Sequence, residues 1–171
     1  MKRKMLMFKI DFEKAFDHIN WDFLDSIQEQ MNFPSKWRKW IWAILASARS
    51  SVLINGSPSF EFQFSCGIRQ GDPISPFLFL IGMEAFLVMM EKAADEGIFQ
   101  GIKLPNSGPS ITHLLFADDV LLVGQWNKEN VLNMARLLRC FNLASGLNIN
   151  YSKSNMFGIG VSDEDVKLTA K

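Results

Sequence analysis

The sequence lacks an excess of charge of either sign, because 18 lysine and arginine residues balance 18 aspartate and glutamate residues over 171 positions. A complete protein that binds nucleic acid usually carries a basic excess, since each phosphate contact depends on Lys or Arg. Composition alone therefore argues against a self-sufficient nucleic-acid-binding protein. Where a motif nevertheless indicates nucleic-acid chemistry, the balanced charge suggests that part of the machinery is missing.

Cysteine and long apolar runs are also scarce. Cys66 and Cys140 are far apart and have no metal-type spacing, which favours free, buried thiols in a reducing compartment over a disulfide. The longest apolar candidate, 74–90, is interrupted by proline, glycine and glutamate and is shorter than a bilayer requires. The apolar start of the chain is broken at Lys9 and Asp11, which argues against a signal peptide. No membrane partner is expected.

The sequence does have enough apolar content for a folded core, with 48% hydrophobic and 21% charged residues. Its hydrophobic periodicity predicts one α+β domain, with an antiparallel sheet and helices on one face. Asn20 and Ser35 are predicted to cap two helices, and Asn55-Gly56 to turn a hairpin whose second strand is half-buried. The predicted strands are 5–10, 51–54, 60–64, 112–116, 120–123, 147–150 and 155–159, and the predicted helices are 21–31, one from 35 onward, 76–96, and one from Asn127 or Asn130 to 145.

Two adjacent carboxylates, Asp118 and Asp119, lie between two apolar strands. Crowded like charges are unfavourable unless a cation neutralises them, and oxygen ligands suit Mg²⁺. Asp11 ends the first strand, so it would converge with this pair if that strand lies beside the hairpin. Two-metal phosphoryl transfer needs such an arrangement, with ions about 4 Å apart. The alternatives are a turn that uses Asp because turns favour it, and a strand-ending Asp in a loop.

A glycine- and proline-containing loop, 67–76, leads directly into the long helix. Its glycines permit close backbone approach, and a helix N-terminus favours anions. The loop could present backbone groups and Gln70 to a nucleotide or a template base. The alternative is a plain connector between two elements.

These segments resemble three successive reverse transcriptase motifs, in order and in rough spacing. They are DFEKAFD at 11–17, RQGDPISP at 69–76 and FADD at 116–119. The segment SGLNINYSKS at 145–154 resembles the fourth palm motif of the non-LTR (LINE-type) retrotransposon branch, particularly its plant form. The similarity runs from Lys9 to about Gly160. It implies an α+β polymerase palm, an RRM-like antiparallel sheet with helices packed on one face.

By this resemblance, Asp11 and Asp118 would bind two Mg²⁺ ions, with Mn²⁺ as a possible substitute, and Asp119 would be the less essential neighbour. The backbone carbonyl of Phe12 would complete one metal shell. Phe16 stands five places after Asp11, where the family has a bulky side chain that excludes a ribose 2′-hydroxyl. A core aromatic is the alternative for Phe16, and the two roles are compatible.

The resemblance also assigns roles in the later motifs. Gln70 and Gly71 would contact the incoming nucleotide or the template opposite it, and Arg69 would contact backbone phosphate. Lys153 matches the position proposed to protonate the leaving pyrophosphate, although an exposed lysine after a strand is usually only solvated. Lys9, Lys14 and Asp17 also resemble family positions, and for each of them a structural ion pair is an equal alternative.

The implied function is RNA-directed DNA synthesis from an RNA template, a DNA primer and dNTPs. Residues 1–160 would form the palm and 161–171 the truncated start of a following segment, so that fingers and thumb are largely absent and belong to a longer polyprotein. We therefore expect that the chain alone folds poorly or binds its template weakly, and that it is weak or inactive as a polymerase. We also expect an intracellular protein, nuclear if the retrotransposon hypothesis holds. The alternatives are a group II intron maturase-like enzyme, and a non-catalytic retroelement relic or palm-fold nucleic-acid-binding module.

Overall fold

The computed structural model describes residues 4–105, 108–116, 119–162 and 164–166. Its main feature is a four-stranded antiparallel sheet with the strand order β10-β1-β9-β8. The elements follow along the chain as β1 (Met5–Ile10), α1 (Ala15–His18), α2 (Trp21–Gln30), α3 (Ser35–Ser47), β2 (Arg49–Ser50), β3 (Leu53–Ile54), β4 (Ser57–Pro58), β5 (Phe62–Gln63), α4 (Ser75–Asp95), β6 (Ile102–Lys103), β7 (Ser110–Ile111), β8 (His113–Phe116), β9 (Asp119–Gln125), α5 (Lys128–Ser145) and β10 (Asn155–Ile159).

The central strand β1 has one face buried and one face open. Leu6, Phe8 and Ile10 are buried in the core, whereas Lys9 between them is exposed. This alternation follows from the two-residue period of a strand, which sends successive side chains to opposite faces. β1 pairs with β9 and β10, so the first apolar run of the chain becomes the middle of the sheet.

Helices α2, α4 and α5 cover the buried face of the sheet and pack against one another. Phe141 of α5 joins them: its ring centroid lies 5.0 Å from that of Phe86 on α4 and 5.9 Å from that of Phe23 on α2. Each fully buried apolar side chain of this core stabilises the fold by about 1.5–3 kcal/mol. The predicted α+β architecture with helices on one face is thereby confirmed.

Most predicted helix boundaries agree with the structure to within a residue or two. Asn20 caps α2 as predicted, since its side-chain oxygen accepts a hydrogen bond from the Phe23 N–H at 3.0 Å. Asn127 rather than Asn130 caps α5, because Asn130 is buried and bonds to the carbonyl oxygens of other segments. The predicted Ser35 cap is wrong: Ser35 is the first residue of α3 and Pro34 precedes it without a side-chain cap.

Three other predictions are wrong. Residues 147–150 do not pair with 155–159. They instead form a single bridge, between Ile149 and Phe12. The hairpin at Asn55-Gly56 exists, but its strands are two residues long and the following segment is open, with Phe60 97% exposed. Both cysteines are free as predicted, yet both are exposed rather than buried.

Among the described helices none is long and apolar enough to cross a membrane.

His113 of β8 gives the fold a dependence on pH. Burial lowers the pKa of its imidazole below the ordinary value of 6.5, and the nearby charge of Glu91 opposes that shift. The unfolded chain therefore takes up this proton at a higher pH than the folded chain. We expect the free energy of unfolding to fall as the pH drops from about 6.5 through the lower folded pKa.

Denaturant unfolding between about pH 7.5 and about pH 5.5 measures this loss. His113→Gln cannot take up the proton, so the variant should lose less stability than the unsubstituted chain over the same interval. Parallel stability curves for the two proteins would show that His113 does not contribute.

Candidate active site

Two of the predicted carboxylates lie where the paired strands β1 and β9 meet at one end of the sheet. The register pairs Lys9 with Leu121 and Ile10 with Val120, so one further step puts Asp11 opposite Asp119. Directly opposite residues on antiparallel strands share a face, with Cβ atoms about 4.5–5.5 Å apart. The structure thus brings together the end of the first strand and the start of the second carboxylate motif. Asp118, the other predicted metal ligand, lies outside the described residues.

Lys9 stands beside this pair on the same face of the sheet. Its Nζ atom lies 2.9 Å from Oδ1 of Asp119, and the two side chains are 51% and 62% exposed. Opposed like charges destabilise a sheet, and a cation next to them offsets the repulsion. The structural ion pair considered for Lys9 is therefore confirmed.

Asp11 is held in position through its backbone by the fourth motif. Its N–H donates to Oγ of Ser154 at 3.0 Å, and its carbonyl oxygen accepts from the N–H of Asn150 at 2.8 Å. Ser154 had no predicted role; its only sequence signal was membership of the fourth motif. Lys153 precedes it in the same turn and is exposed. The structure therefore brings the loop that carries Lys153 to Asp11.

The aromatic residues of the first motif are anchored by the core. Phe12 is buried, and its ring centroid lies 6.3 Å from that of Phe141. Phe16 of α1 is half-buried and stacks on Phe79 of α4, with centroids 5.1 Å apart and an interplanar angle of 17°. Because Phe79 is itself buried, the position of the Phe16 ring is set by α4. Both roles considered for Phe16 are compatible with this geometry.

The glycine-containing loop is joined to the first motif by hydrogen bonds. The Gly67 N–H donates to the Ile19 carbonyl at 2.8 Å, and the Ile68 N–H donates to the Phe16 carbonyl at 2.6 Å. The indole N–H of Trp21 donates to the Gly67 carbonyl at 2.6 Å. Gly67 has φ +81°, and a Cβ at this position would lie 2.5 Å from the carbonyl oxygen of Asp17. Only glycine fits here, because the two backbones touch.

The predicted nucleotide-contacting residues lie further along this loop and are exposed. Gln70 donates to Oδ1 of Asp17 at 3.3 Å, and Gly71 adopts φ +88°. The carbonyl oxygen of Arg69 accepts from Oγ of Ser75 at 2.6 Å, which ties the loop to the start of α4. These side chains border an open cavity of about 520 Å³. The contact between Gln70 and Asp17 was not predicted, because it joins residues 53 positions apart.

The donor set suits a hard divalent cation such as Mg²⁺, which prefers carboxylate and carbonyl oxygens. Asp11 and Asp119 supply two carboxylates on one face, at one end of the two central strands of the sheet. Within the part of the chain that the structure describes, no group of three or more His, Cys, Asp or Glu residues could hold a metal ion. A third carboxylate would have to come from Asp118, outside that part.

Comparisons with known proteins identify the family of the chain and several relatives. Residues 1–166 match the family model described as reverse transcriptase (RNA-dependent DNA polymerase). The chain is 34% identical over 108 residues to an uncharacterized mitochondrial protein of Arabidopsis thaliana. The aligned region covers 63% of this chain and 88% of that protein. It is 25% identical over 154 residues to a Pol polyprotein from the type-1 retrotransposable element R2 of Popillia japonica. The aligned region covers 90% of this chain and 21% of that polyprotein.

A further relative is the transposon TX1 149 kDa protein of Xenopus laevis, which is 30% identical over 149 residues. That match covers 85% of this chain and 11% of the relative, so the chain spans a small part of these transposon proteins. These matches confirm the predicted relationship to retrotransposon proteins, and the Arabidopsis relative is consistent with the plant form of that branch.

Solved structures share the fold. Telomerase from Candida tropicalis in complex with a fragment of telomeric RNA superimposes with a TM-score of 0.69 at 14% identity, over 91% of this chain and 26% of that one. The apo enzyme truncated from its C-terminal domain gives a TM-score of 0.68 at 16% identity, over 94% of this chain and 32% of that one. The palm fold predicted from the motifs is confirmed. With a sheet that carries two predicted carboxylates at one end and a family match over 1–166, the chain belongs to the reverse transcriptase (RNA-dependent DNA polymerase) family.

Proposed function

We propose that this chain is the palm of an RNA-directed DNA polymerase, which transfers deoxynucleotides to a primer 3′-hydroxyl opposite an RNA template. The observation that carries the proposal is the placement of Asp11 opposite Asp119 at one end of the sheet, within a family match that spans the motifs. Asp11 and Asp119 would form an anionic site next to the loop of the fourth motif that carries Lys153.

Asp11, Asp118 and the carbonyl of Phe12 would hold two Mg²⁺ ions, with Asp119 as a less essential ligand. When bound, the ions supply charge neutralisation around the attacking and leaving oxygens. The chain's own contribution is positioning: reacting atoms held in line react faster because their orientation is already fixed. Asp11 suits this task, since two hydrogen bonds with residues of the fourth motif fix its backbone.

The remaining site residues would act on the substrates. Phe16, stacked on Phe79, would present its edge to the sugar of the incoming nucleotide and disfavour a 2′-hydroxyl. Gln70, Gly71 and Arg69 would contact the nucleotide and the template from the loop before α4. Lys153 would donate a proton to the leaving pyrophosphate.

Residues 1–160 form the palm in this proposal, and 161–171 begin a following segment. Fingers and thumb from a longer polyprotein would supply the basic surface that a chain of zero net charge lacks. The transposon relatives are much longer than this chain, which supports that arrangement. RNA template, DNA primer and dNTPs are the proposed partners.

The test is single-nucleotide incorporation on a DNA primer annealed to an RNA template, with the protein in excess so that weak template binding does not limit the reaction. The expected result is addition of the complementary dNTP in Mg²⁺ or Mn²⁺, none in EDTA, and poor addition of the matching rNTP. Phe16→Val should raise rNTP addition relative to dNTP addition. Template binding without any incorporation would favour the non-catalytic palm module instead.

A further inference from the structure

We propose that Lys9 is a built-in counter-ion of the carboxylate site: it neutralises Asp119 when no metal ion is bound and weakens the affinity of the site for divalent cations. The inference rests on the proposed metal site and adds a residue that tunes it. Lys9 is thus a positioning residue, since it acts on the site through Asp119.

The geometry places the ammonium of Lys9 against Asp119, on the face of the sheet that also carries Asp11. Lys9 lies diagonally across from Asp119, because its own partner in the register is Leu121, two residues further along β9. Their side chains meet at 2.9 Å. Lys9 and Asp11 are two residues apart on one strand, so their side chains leave the same face about 7 Å apart.

The charge arrangement explains why a cation is needed at this point. Asp11 and Asp119 are opposed across β1 and β9, and like charges in that position repel each other. Lys9 relieves the repulsion with a charge that belongs to the protein. Both partners of the ion pair are more than half exposed, so the pair by itself adds little to the stability of the fold. Its main consequence is electrostatic competition with any cation that binds the same carboxylates.

The size of this competition follows from Coulomb's law. A charge of +1 about 6 Å from a charge of +2 in water changes the affinity for the divalent ion by about tenfold. Removal of the Lys9 charge should therefore strengthen metal binding, even though it removes an ion pair from the metal-free protein. A residue that only supported the fold would have the opposite effect on metal affinity.

The experiment compares Lys9→Met with Lys39→Met in the full chain, using Mn²⁺ alone as the probe. Lys39 is an exposed lysine on α3, so its substitution removes the same charge away from the carboxylates. Free Mn²⁺ is followed by electron paramagnetic resonance during a titration. We expect Lys9→Met to bind Mn²⁺ about tenfold more tightly, and Lys39→Met to bind like the unsubstituted chain.

Thermal unfolding supplies a second readout. Without metal, Lys9→Met should unfold at nearly the same temperature as the unsubstituted chain, because the exposed ion pair adds little stability. At equal Mn²⁺ concentration, its unfolding temperature should rise more than that of the unsubstituted chain, because it binds the ion more tightly. Lys9→Arg keeps the charge and should retain the original affinity, whereas Lys9→Gln should bind more tightly. This second pair of variants keeps the test decisive if Lys9→Met does not fold.

Asp11→Asn separates this inference from the proposed function. If Asp11→Asn abolishes Mn²⁺ binding while Lys9→Met and Lys9→Gln leave it unchanged or weaken it, the counter-ion inference is overturned and the metal site stands. If Mn²⁺ binding by the unsubstituted chain does not depend on Asp11, the proposed site and the inference both fail.

Discussion

Asp11→Asn is expected to lower the rate of nucleotide incorporation by about a thousandfold, because the variant loses a carboxylate ligand of the proposed Mg²⁺ site. A metal ion at a phosphoryl-transfer site stabilises the transition state by several kcal/mol, and about 4 kcal/mol corresponds to roughly a thousandfold in rate. Single-turnover incorporation on a primed RNA template measures the loss. Asp118→Ala should be equally inactive, and Asp119→Asn should retain more activity than either.

The Asp11 variant should lose activity without losing its fold. The hydrogen bonds of Asp11 to Ser154 and Asn150 use backbone atoms, which the substitution leaves in place. The change also removes the repulsion with Asp119, so the melting temperature should stay the same or rise. Asp95→Asn, an exposed carboxylate at the far end of α4, is the matched control and should retain full activity. Undiminished incorporation by Asp11→Asn would refute the assignment of the site.

Gly67→Ala is expected to destabilise the fold by about 3 kcal/mol or more, for two additive reasons. A side chain at φ +81° is strained, at a cost of about 1–2 kcal/mol. The new Cβ would also lie 2.5 Å from the carbonyl oxygen of Asp17, so the two backbone segments must move apart. That movement disturbs the hydrogen bonds of Gly67 to Ile19 and of Trp21 to Gly67. For a chain of this size the melting temperature should fall by roughly 6–12 °C.

Gly97→Ala is the matched control for Gly67→Ala. Gly97 follows α4 with φ +70°, but a Cβ there would meet no atom within 4 Å. This variant carries the backbone strain without the steric clash, so its loss of stability should stay near about 1–2 kcal/mol. Equal effects at the two positions would mean that the contact between the loop and the first motif does not matter.

The link between these two segments explains how one chain can assemble a site from motifs that are far apart. The first motif ends in helix α1, and the N–H groups of Ile68 and Gly67 donate to the carbonyl oxygens of Phe16 in that helix and of Ile19 just after it. The same loop then continues to Gln70, which contacts Asp17. A change that separates the loop from the turn is therefore expected to displace the nucleotide-contacting residues as well as to weaken the fold.

Much of the fold could be predicted from the sequence, because helices and central strands are specified by nearby residues. The spacing of Trp21, Leu24 and Gln28 gives α2 one buried face, and the apolar run 5–10 specifies the central strand. Short-range signals also located the cap at Asn20 and limited the cap of α5 to Asn127 or Asn130, of which the structure has Asn127. Such patterns repeat every two to four residues and do not depend on the rest of the chain.

Local patterns were insufficient where a segment's partner lies far away. Residues 147–150 carry a strand-like pattern, yet they bridge to Phe12 instead of pairing with 155–159. The segment around Phe60 alternates like a half-buried strand but lies on no core surface. A strand face is buried only where another element packs against it, and the alternation of apolar and polar residues within the strand does not specify that element.

By itself, the sequence determined the order of most elements, the family and the candidate ligands Asp11, Asp118 and Asp119. Only the tertiary structure decided that these carboxylates oppose each other, that Lys9 neutralises Asp119, and that Ser154 holds Asp11. The physical reason is the register between β1 and β9, which joins residues more than 100 positions apart. A shift of one residue would send every side chain to the other face, and the packed core on one face selects the register that is observed.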